Sequence, residues 1–510
     1  MKTKNETIEL DHYLKLFVKS SLFILVATIL SKLFSYGYKI VIARNFGAEI
    51  YGLFSLALIV IGIFSSLATM GLSEGLVRYI SFYRGRRLYR HIMRLIKSLQ
   101  TLFLFTGVIC TIILVLISPI LSEHIFHSDK FTPLLIGMAF ALPFMILANL
   151  SLGILRGFER VNTYTMLINI YQNTSRLILL LILVLSGIGV ISIPISFVLT
   201  FVGLWLLSYC YAKKNIVNLP RTNLPSWKKI MPSIFSYAWP LLFTGILYSI
   251  FYWTDSLVLG YFNNATEVGQ YNAAITIVSL FGIVPDLFMQ LFFPIISFKL
   301  SEGKKELIQA LTQQIVKWIY FLSVPIFIVL FLFSKQWLTL LFSSDFVSAE
   351  KSLQILVIGA LCASITGLST SLISIKGRTR LVLTDFLIFT TINLILDISL
   401  VPKIGMLGAA IATFVTQILF LITVIRQIKT IYGFNPIKNY IQKLIAITAG
   451  LLLIGGYFKQ ISDVNLWTAI IFSILLIIIY VIAIFILRIF DSEDKMIIKS
   501  ILKKIGLHKS

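Results

Sequence analysis

Charge is scarce in this chain. Asp, Glu, Lys and Arg make up 13% of its 510 residues, against roughly 25% in a soluble domain. Hydrophobic residues reach 58% and mean hydropathy is +0.94. That balance excludes a soluble protein and points to a polytopic membrane protein. Acid is scarcer still, with 21 Asp and Glu against 44 Lys and Arg, a formal net charge of +23. The three cysteines, Cys110, Cys210 and Cys362, lie in apolar segments without metal-like spacing. They read as packing residues and carry no information on redox compartment. His12, His91, His124, His127 and His508 are scattered in or beside loops, with no carboxylate or cysteine partner that makes a metal site. Also missing are a Walker motif, a GxSxG elbow and paired carboxylates in a soluble cleft, so no catalytic constellation and no cofactor motif is present. The N-terminal MKTKNETIELDHYLKLFVKS mixes acids with bases and lacks a small-residue cleavage site, so it is not expected to be a cleaved signal peptide.

Long apolar runs fill the rest. Runs of about 20 residues each suffice to cross a bilayer as helix. Fourteen are expected, at about 17–43, 51–80, 94–119, 131–155, 162–186, 190–212, 232–261, 269–298, 314–334, 352–375, 381–401, 405–428, 440–458 and 465–489. The loops between them alternate in charge. One set, holding both termini and the basic loops near Arg84–Arg90, Arg156–Arg160, Lys213–Lys229, Lys299–Lys317, Lys376–Arg380 and Arg426–Lys443, carries 35 of the 44 Lys and Arg residues. The other set has Arg44, Lys130, Lys335, Lys351, Lys403 and Lys459. By the positive-inside rule the N- and C-termini are cytoplasmic. Basic residues placed in short loops along a membrane face also speak against nucleic acid as a partner; some can meet anionic lipid headgroups.

Three cations remain inside the spans: Lys32, Lys39 and Arg176. Lys32 lies near the centre of the first span. Thr28, Ser35 and Lys39 recur with it at helical spacing on one face. An ionisable side chain at mid-membrane costs at least a few kcal/mol and by default faces a partner or a water-filled cavity. Lys39 lies nearer a boundary and can snorkel, whereas Lys32 has about half the bilayer to cross either way.

An internal repeat organises the spans. Leu185–Thr200 aligns without a gap on Val401–Thr416, at an offset of 216 residues. Phe46–Ala57 resembles Phe262–Ala274, placing Gly52 on Gly269 and Phe54 on Tyr271. Basic-glycine turns, Arg156-Gly157 and Lys376-Gly377, fall at equivalent places. An even unit of six helices keeps both copies in the same orientation, about an axis along the membrane normal. The expected fold is all-α, with two six-helix lobes at 1–215 and 216–430. Two additional helices and a basic tail complete the chain at 431–510.

With these residues, the chain resembles the polysaccharide transporter family of lipid-linked oligosaccharide flippases, within the multidrug/oligosaccharidyl-lipid/polysaccharide exporter superfamily. The resemblance rests on Ile42–Ala57, Gly71–Ser81, the RGFER turn Arg156–Arg160, Asp255–Ala274 and Ile404–Thr413. It implies alternating access around a central cavity, without enzymatic activity, in the plasma membrane of a prokaryote. It also implies a substrate of oligosaccharide on a polyprenyl phosphate or pyrophosphate, bound for a cell-surface polysaccharide or glycan. Membrane lipids, Na⁺ or H⁺, and glycosyltransferases or a polymerase of the same pathway are the further partners it suggests. Without an ATPase module, uphill transport must draw on an ion gradient or the membrane potential.

Charge and helical stripes single out candidate site residues. Lys32, Lys39 and Arg176 are the cations suited to the phosphate; each has a structural alternative as a buried pair or a snorkelling side chain. Thr28, Ser35, Asn169, Asn173, Asn272, Thr276 and Gln290 can hydrogen-bond sugar hydroxyls. In the fifth span Asn162, Asn169, Asn173 and Arg176 share a face, and in the eighth Asn272, Thr276, Ser279, Asp286 and Gln290 do, with Pro285 a kink. Asp255 and Asp286 suit a counter-ion or ion-coupling role or a structural one. Thr390, Asn393 and Asp397 share a face of the eleventh span, where Asp397 reads as structural. By the repeat, Lys39 and Asp255 occupy equivalent depths. Glu74 and Arg78, four residues apart, are expected to pair, either as a cytoplasmic gate or as an ordinary helical pair. A cation-coupled multidrug exporter, a lipid II-type flippase and a non-transporting scaffold for glycosyltransferases are the competing functions.

Overall fold

A backbone inside hydrocarbon must satisfy its own hydrogen bonds, and helices do so within each segment. In a computed structural model of the chain, residues 4–217, 219–220, 222, 224–301, 305–437, 440–461 and 465–487 are described; they are helical apart from short connections, without a strand. The side chains of residues 4–25 and of parts of the seventh and eighth spans, Gln290 among them, lie outside the described residues, as does the basic tail from 488 onward. Among the described residues, twelve helices are long and apolar enough to cross a membrane, and the chain is a multi-pass membrane protein. Two of the fourteen expected spans share Val26–Thr69, whose 44 residues extend about 66 Å as helix, roughly twice a hydrocarbon core. They separate at Gly47, where φ is +79°. The seventh expected span lies in Trp227–Phe262.

Two expected single helices are interrupted. The second span breaks after Thr69, at Met70 and Gly71 with φ of 50° and 68°, and resumes as Leu72–Gly85. The fourth consists of Phe131–Ala139 and Leu142–Gly157, with Pro143 in the first turn of the second piece. In the eighth span the helix tightens to a 3₁₀ turn at Ser279–Gly282, just before Pro285. A proline ring crowds the carbonyl four residues earlier, here that of Phe281, and has no N–H to donate to it.

Packing divides the chain into two units, Met1–Ala273 with Phe386–Ala409, and Ala274–Asp385 with Ala410–Ser510. In the first, Leu142–Gly157 packs on Ser192–Ile216, Tyr89–Ile120 and Leu72–Gly85, and the first long helix packs on Gln172–Leu185. Small hydroxyl residues (Ser118, Ser192, Ser196, Thr200 and Ser208) are fully buried between these helices, as expected where van der Waals closeness drives association in lipid. In the second unit, Lys305–Leu332 packs on Glu350–Ile375, Ile283–Ser301 and Tyr440–Ile461. The final helix pair is fastened there: Lys459 Nζ meets Glu350 at 3.1 Å, and the Tyr480 hydroxyl donates to the Phe321 carbonyl. In both units large apolar side chains such as Leu116, Leu185, Leu453 and Ile486 stand exposed on the outside, the surface a lipid solvent accepts.

The repeat-equivalent glycines meet. A Cβ on Gly52 would lie 1.8 Å from the Ala265 carbonyl oxygen, and one on Gly269 would lie 1.9 Å from that of Ala48. Only glycine permits this backbone approach. Further along the second span, a Cβ on Gly71 would lie 2.5 Å from the Ala238 oxygen, so the second span touches the seventh–eighth pair both near its start and at its break.

Candidate functional site

The first and fifth spans join along a polar seam. Asn169 donates its amide to Thr28 Oγ1 at 3.4 Å, and Asn173 donates to Ser31 Oγ at 2.8 Å. Lys32 is the residue directly after Ser31. Lys32, Ser35 and Lys39 are half-buried on the same helix, and both lysines interact with other groups of the protein. The fifth span carries a π-helical turn at Met166–Tyr171. One extra residue in a turn rotates the C-terminal remainder of the helix, and such turns are frequent at functional sites. Three residues after Asn173, Arg176 sets its guanidinium 5.5, 5.0 and 5.4 Å from the rings of Tyr38, Phe197 and Phe201, with Nε lacking a hydrogen-bond partner among the described residues. An aromatic enclosure holds the cation without neutralising it. Asn162, at the start of the stripe, is exposed.

A second cluster lies between the seventh, eighth and eleventh spans of the same unit. The Tyr271 hydroxyl donates to Asp255 Oδ2, and the carboxyl groups of Asp255 and Asp397 adjoin. Asp397 is fully buried, and neither of its oxygens has a hydrogen-bond partner among the described residues. Two buried carboxylates in contact repel when both are charged, and a proton on one of them or a cation between them relieves that. Asn393, one turn before Asp397, is buried too. The sequence offers Asp255 as a counter-ion, ion-coupling or structural residue but does not reveal Asp397 as its neighbour. In the eighth span Asn272 is engaged locally, donating to Ser256 Oγ at 3.1 Å and to the Val268 carbonyl at 2.9 Å. Thr276 is buried, and Asp286 is exposed with other interactions of its own. A buried acid outside the expected set, Asp385, accepts from Gln427 Nε2 at 2.9 Å.

The expected Glu74–Arg78 pair is corrected. Glu74 forms a two-pronged ion pair with Arg156, at 2.7 and 3.3 Å. Arg78 instead lies 4.0 Å over the ring of Tyr237. The guanidinium fork matches a carboxylate held on the neighbouring helix better than one a turn away on its own. Nearby, Arg84 reaches Glu159 at 2.6 Å, so the RGFER turn is tied twice to the end of the second span.

The chain is similar to known proteins along most of its length. Residues 17–300 match the family model described as "Polysaccharide biosynthesis protein", and residues 240–399 match that described as "MatE". The "Probable low-salt glycan biosynthesis flippase Agl15" of Haloferax volcanii is 23% identical over 434 residues, covering 83% of this chain and 86% of its own. The "Lipid II flippase MurJ" of Bacillus subtilis is 23% identical over 472 residues, 84% of each chain. Among solved structures, a lipid II flippase MurJ in an inward closed conformation superposes with a TM-score of 0.71 at 17% identity, covering 90% of this chain and 98% of that one.

Proposed function

The chain belongs to the polysaccharide biosynthesis protein family, and from that premise we propose that it flips an oligosaccharide linked to a polyprenyl phosphate or pyrophosphate, from the cytoplasmic to the outer leaflet of a prokaryotic plasma membrane. The observation that carries the reading is the seam between the first and fifth spans. There Thr28, Ser31, Asn169 and Asn173 form a hydrogen-bonded polar strip beside Lys32, with Arg176 on the same face of the fifth span. Cations in low dielectric suit phosphate, and amides and hydroxyls suit sugar. The polyprenyl tail stays in the bilayer while the headgroup crosses by alternating access.

Lys32, Lys39 and Arg176 hold the phosphates; Thr28, Ser35, Asn169 and Asn173 line the path of the sugar. With cytoplasmic termini, an inside-negative potential assists outward movement of the anionic headgroup by about 2.3 kcal/mol per charge per 100 mV. The adjoining carboxyl groups of Asp255 and Asp397 form the coupling site, where Na⁺ or H⁺ relieves their repulsion. Glycosyltransferases or a polymerase of the same pathway supply and consume the substrate.

Purified protein in proteoliposomes tests the reading. It accelerates movement of a fluorescent lipid-linked oligosaccharide between leaflets and gives no resistance to cationic dyes in cells. Strong resistance dependent on Asp255, without lipid flipping, establishes the multidrug exporter instead.

A further inference from the structure

Apart from the seam, the first unit holds a half-open cavity of about 280 Å³ between the second, fourth and fifth spans. Its polar lining comes from Ser65, Ser73, Glu74, Asn149, Arg156 and Tyr164. The Ser73 hydroxyl is buried without a hydrogen-bond partner among the described residues. A buried polar group left unmatched is costly, a cost that a hydrogen-bonding ligand would remove.

The charge of the cavity narrows the ligand. Arg156 is engaged by both oxygens of Glu74, so the cavity presents no excess positive charge and offers an anion little. What it does offer is hydroxyl and amide groups, the ring of Tyr164 and a neutral ion pair with donors and acceptors on both members. That set fits a neutral polyhydroxyl compound. Ligand pockets for drug-sized molecules run from about 300 to 1,000 Å³, so this volume suits one sugar ring rather than a chain.

The cavity and the seam flank the same turn of the fifth span. Ile168 lines the cavity, and the next residue of the same π-helical turn, Asn169, bonds Thr28. We infer that this cavity is a second binding site, for the sugar ring nearest the phosphates, occupied while those phosphates lie at Lys32 and Arg176. The inference rests on the flippase reading for the phosphates and adds a separate sugar site.

The test measures binding to the full-length protein in lipid nanodiscs. The probes are farnesyl pyrophosphate alone and farnesyl pyrophosphate carrying glucose, galactose, N-acetylglucosamine or N-acetylgalactosamine. At least one sugar probe should bind about tenfold more tightly than the bare pyrophosphate. Ser73→Val and Asn149→Leu should erase that advantage while leaving the bare pyrophosphate affinity unchanged. Lys32→Ala and Arg176→Ala should weaken every probe alike. As a check independent of folding, Ser65→Cys in a background without Cys110, Cys210 and Cys362 should react with a methanethiosulfonate reagent at least threefold more slowly when the sugar probe is bound. The bare pyrophosphate should give no protection. If no sugar improves binding, or the advantage survives both substitutions, or Ser65→Cys gains no protection, the sugar site is overturned. If bare pyrophosphate binding ignores Lys32 and Arg176, the flippase reading fails instead.

Discussion

Gly52 and Gly269 face each other through their backbones, each occupying the space that a Cβ on the other helix pair would need. They are equivalent positions of the internal repeat, and their contacts are reciprocal, Gly52 against Ala265 and Gly269 against Ala48. Contact between equivalent positions is the pattern that residues on a twofold axis show, where each meets its own counterpart.

Leucine at either glycine therefore cannot be accommodated without separating the two helix pairs. Overpacking costs typically about 1–3 kcal/mol, occasionally more, and here the obstacle is backbone. Gly52→Leu and Gly269→Leu should lower the thermal midpoint in detergent by several degrees, while Gly62→Leu, where nothing lies within 4 Å, should leave it unchanged.

A double-mutant cycle distinguishes the ion pair that forms from the one that helical spacing suggests. Glu74 and Arg156 are partly exposed, at 55% and 37% of their side chains, so a coupling of about 0.5–1 kcal/mol is expected between them. Between Glu74 and Arg78 the coupling should be near zero. Stability of Glu74→Gln, Arg156→Gln and Arg78→Gln, singly and in pairs, provides both values.

The Asp255–Asp397 contact predicts a substitution that stabilises and inactivates together. Asp397→Asn spares the folded state the cost of keeping an acid uncharged beside Asp255, so at low Na⁺ and neutral pH the thermal midpoint should rise. Flipping in proteoliposomes should at the same time lose its response to an imposed Na⁺ or H⁺ gradient. A midpoint that falls with the gradient response intact would assign the pair a purely structural role.

The seam makes a smaller prediction. Interhelical hydrogen bonds in membranes are worth roughly 0.6 kcal/mol on average. Asn173→Leu should therefore cost little stability, leaving any large loss of flipping attributable to the path itself.

The stripes were legible in sequence because helical spacing alone places Thr28, Lys32, Ser35 and Lys39 on one face, and Asn169, Asn173 and Arg176 on another. That the two faces meet through Asn169 and Asn173 is consistent with both reading as too polar for lipid. Contacts between distant segments were not legible. Glu74 finds Arg156, 82 residues away, rather than the arginine one turn along, and periodicity contains no term for that choice. Asp397 reads as structural from its place close to the outer boundary of its span, and spacing along that span does not show the carboxylate of another span beside it. The repeat alignment equated Gly52 with Gly269, yet equivalence does not reveal contact; only the position of the axis does. Breaks at Met70–Gly71 and at Phe140–Ala141 were also hidden, since the apolar composition continues through them and hydropathy registers composition rather than backbone angle.

Lys32 carries the central claim, and the most direct test is the initial rate at which a fluorescent polyprenyl-pyrophosphate-linked oligosaccharide changes leaflet in proteoliposomes of matched protein content. The account predicts at least a tenfold loss for Lys32→Ala with substantial retention by Lys32→Arg, both proteins remaining monodisperse with an unchanged thermal midpoint. A Lys32→Ala protein that flips the lipid at the wild-type rate would contradict it.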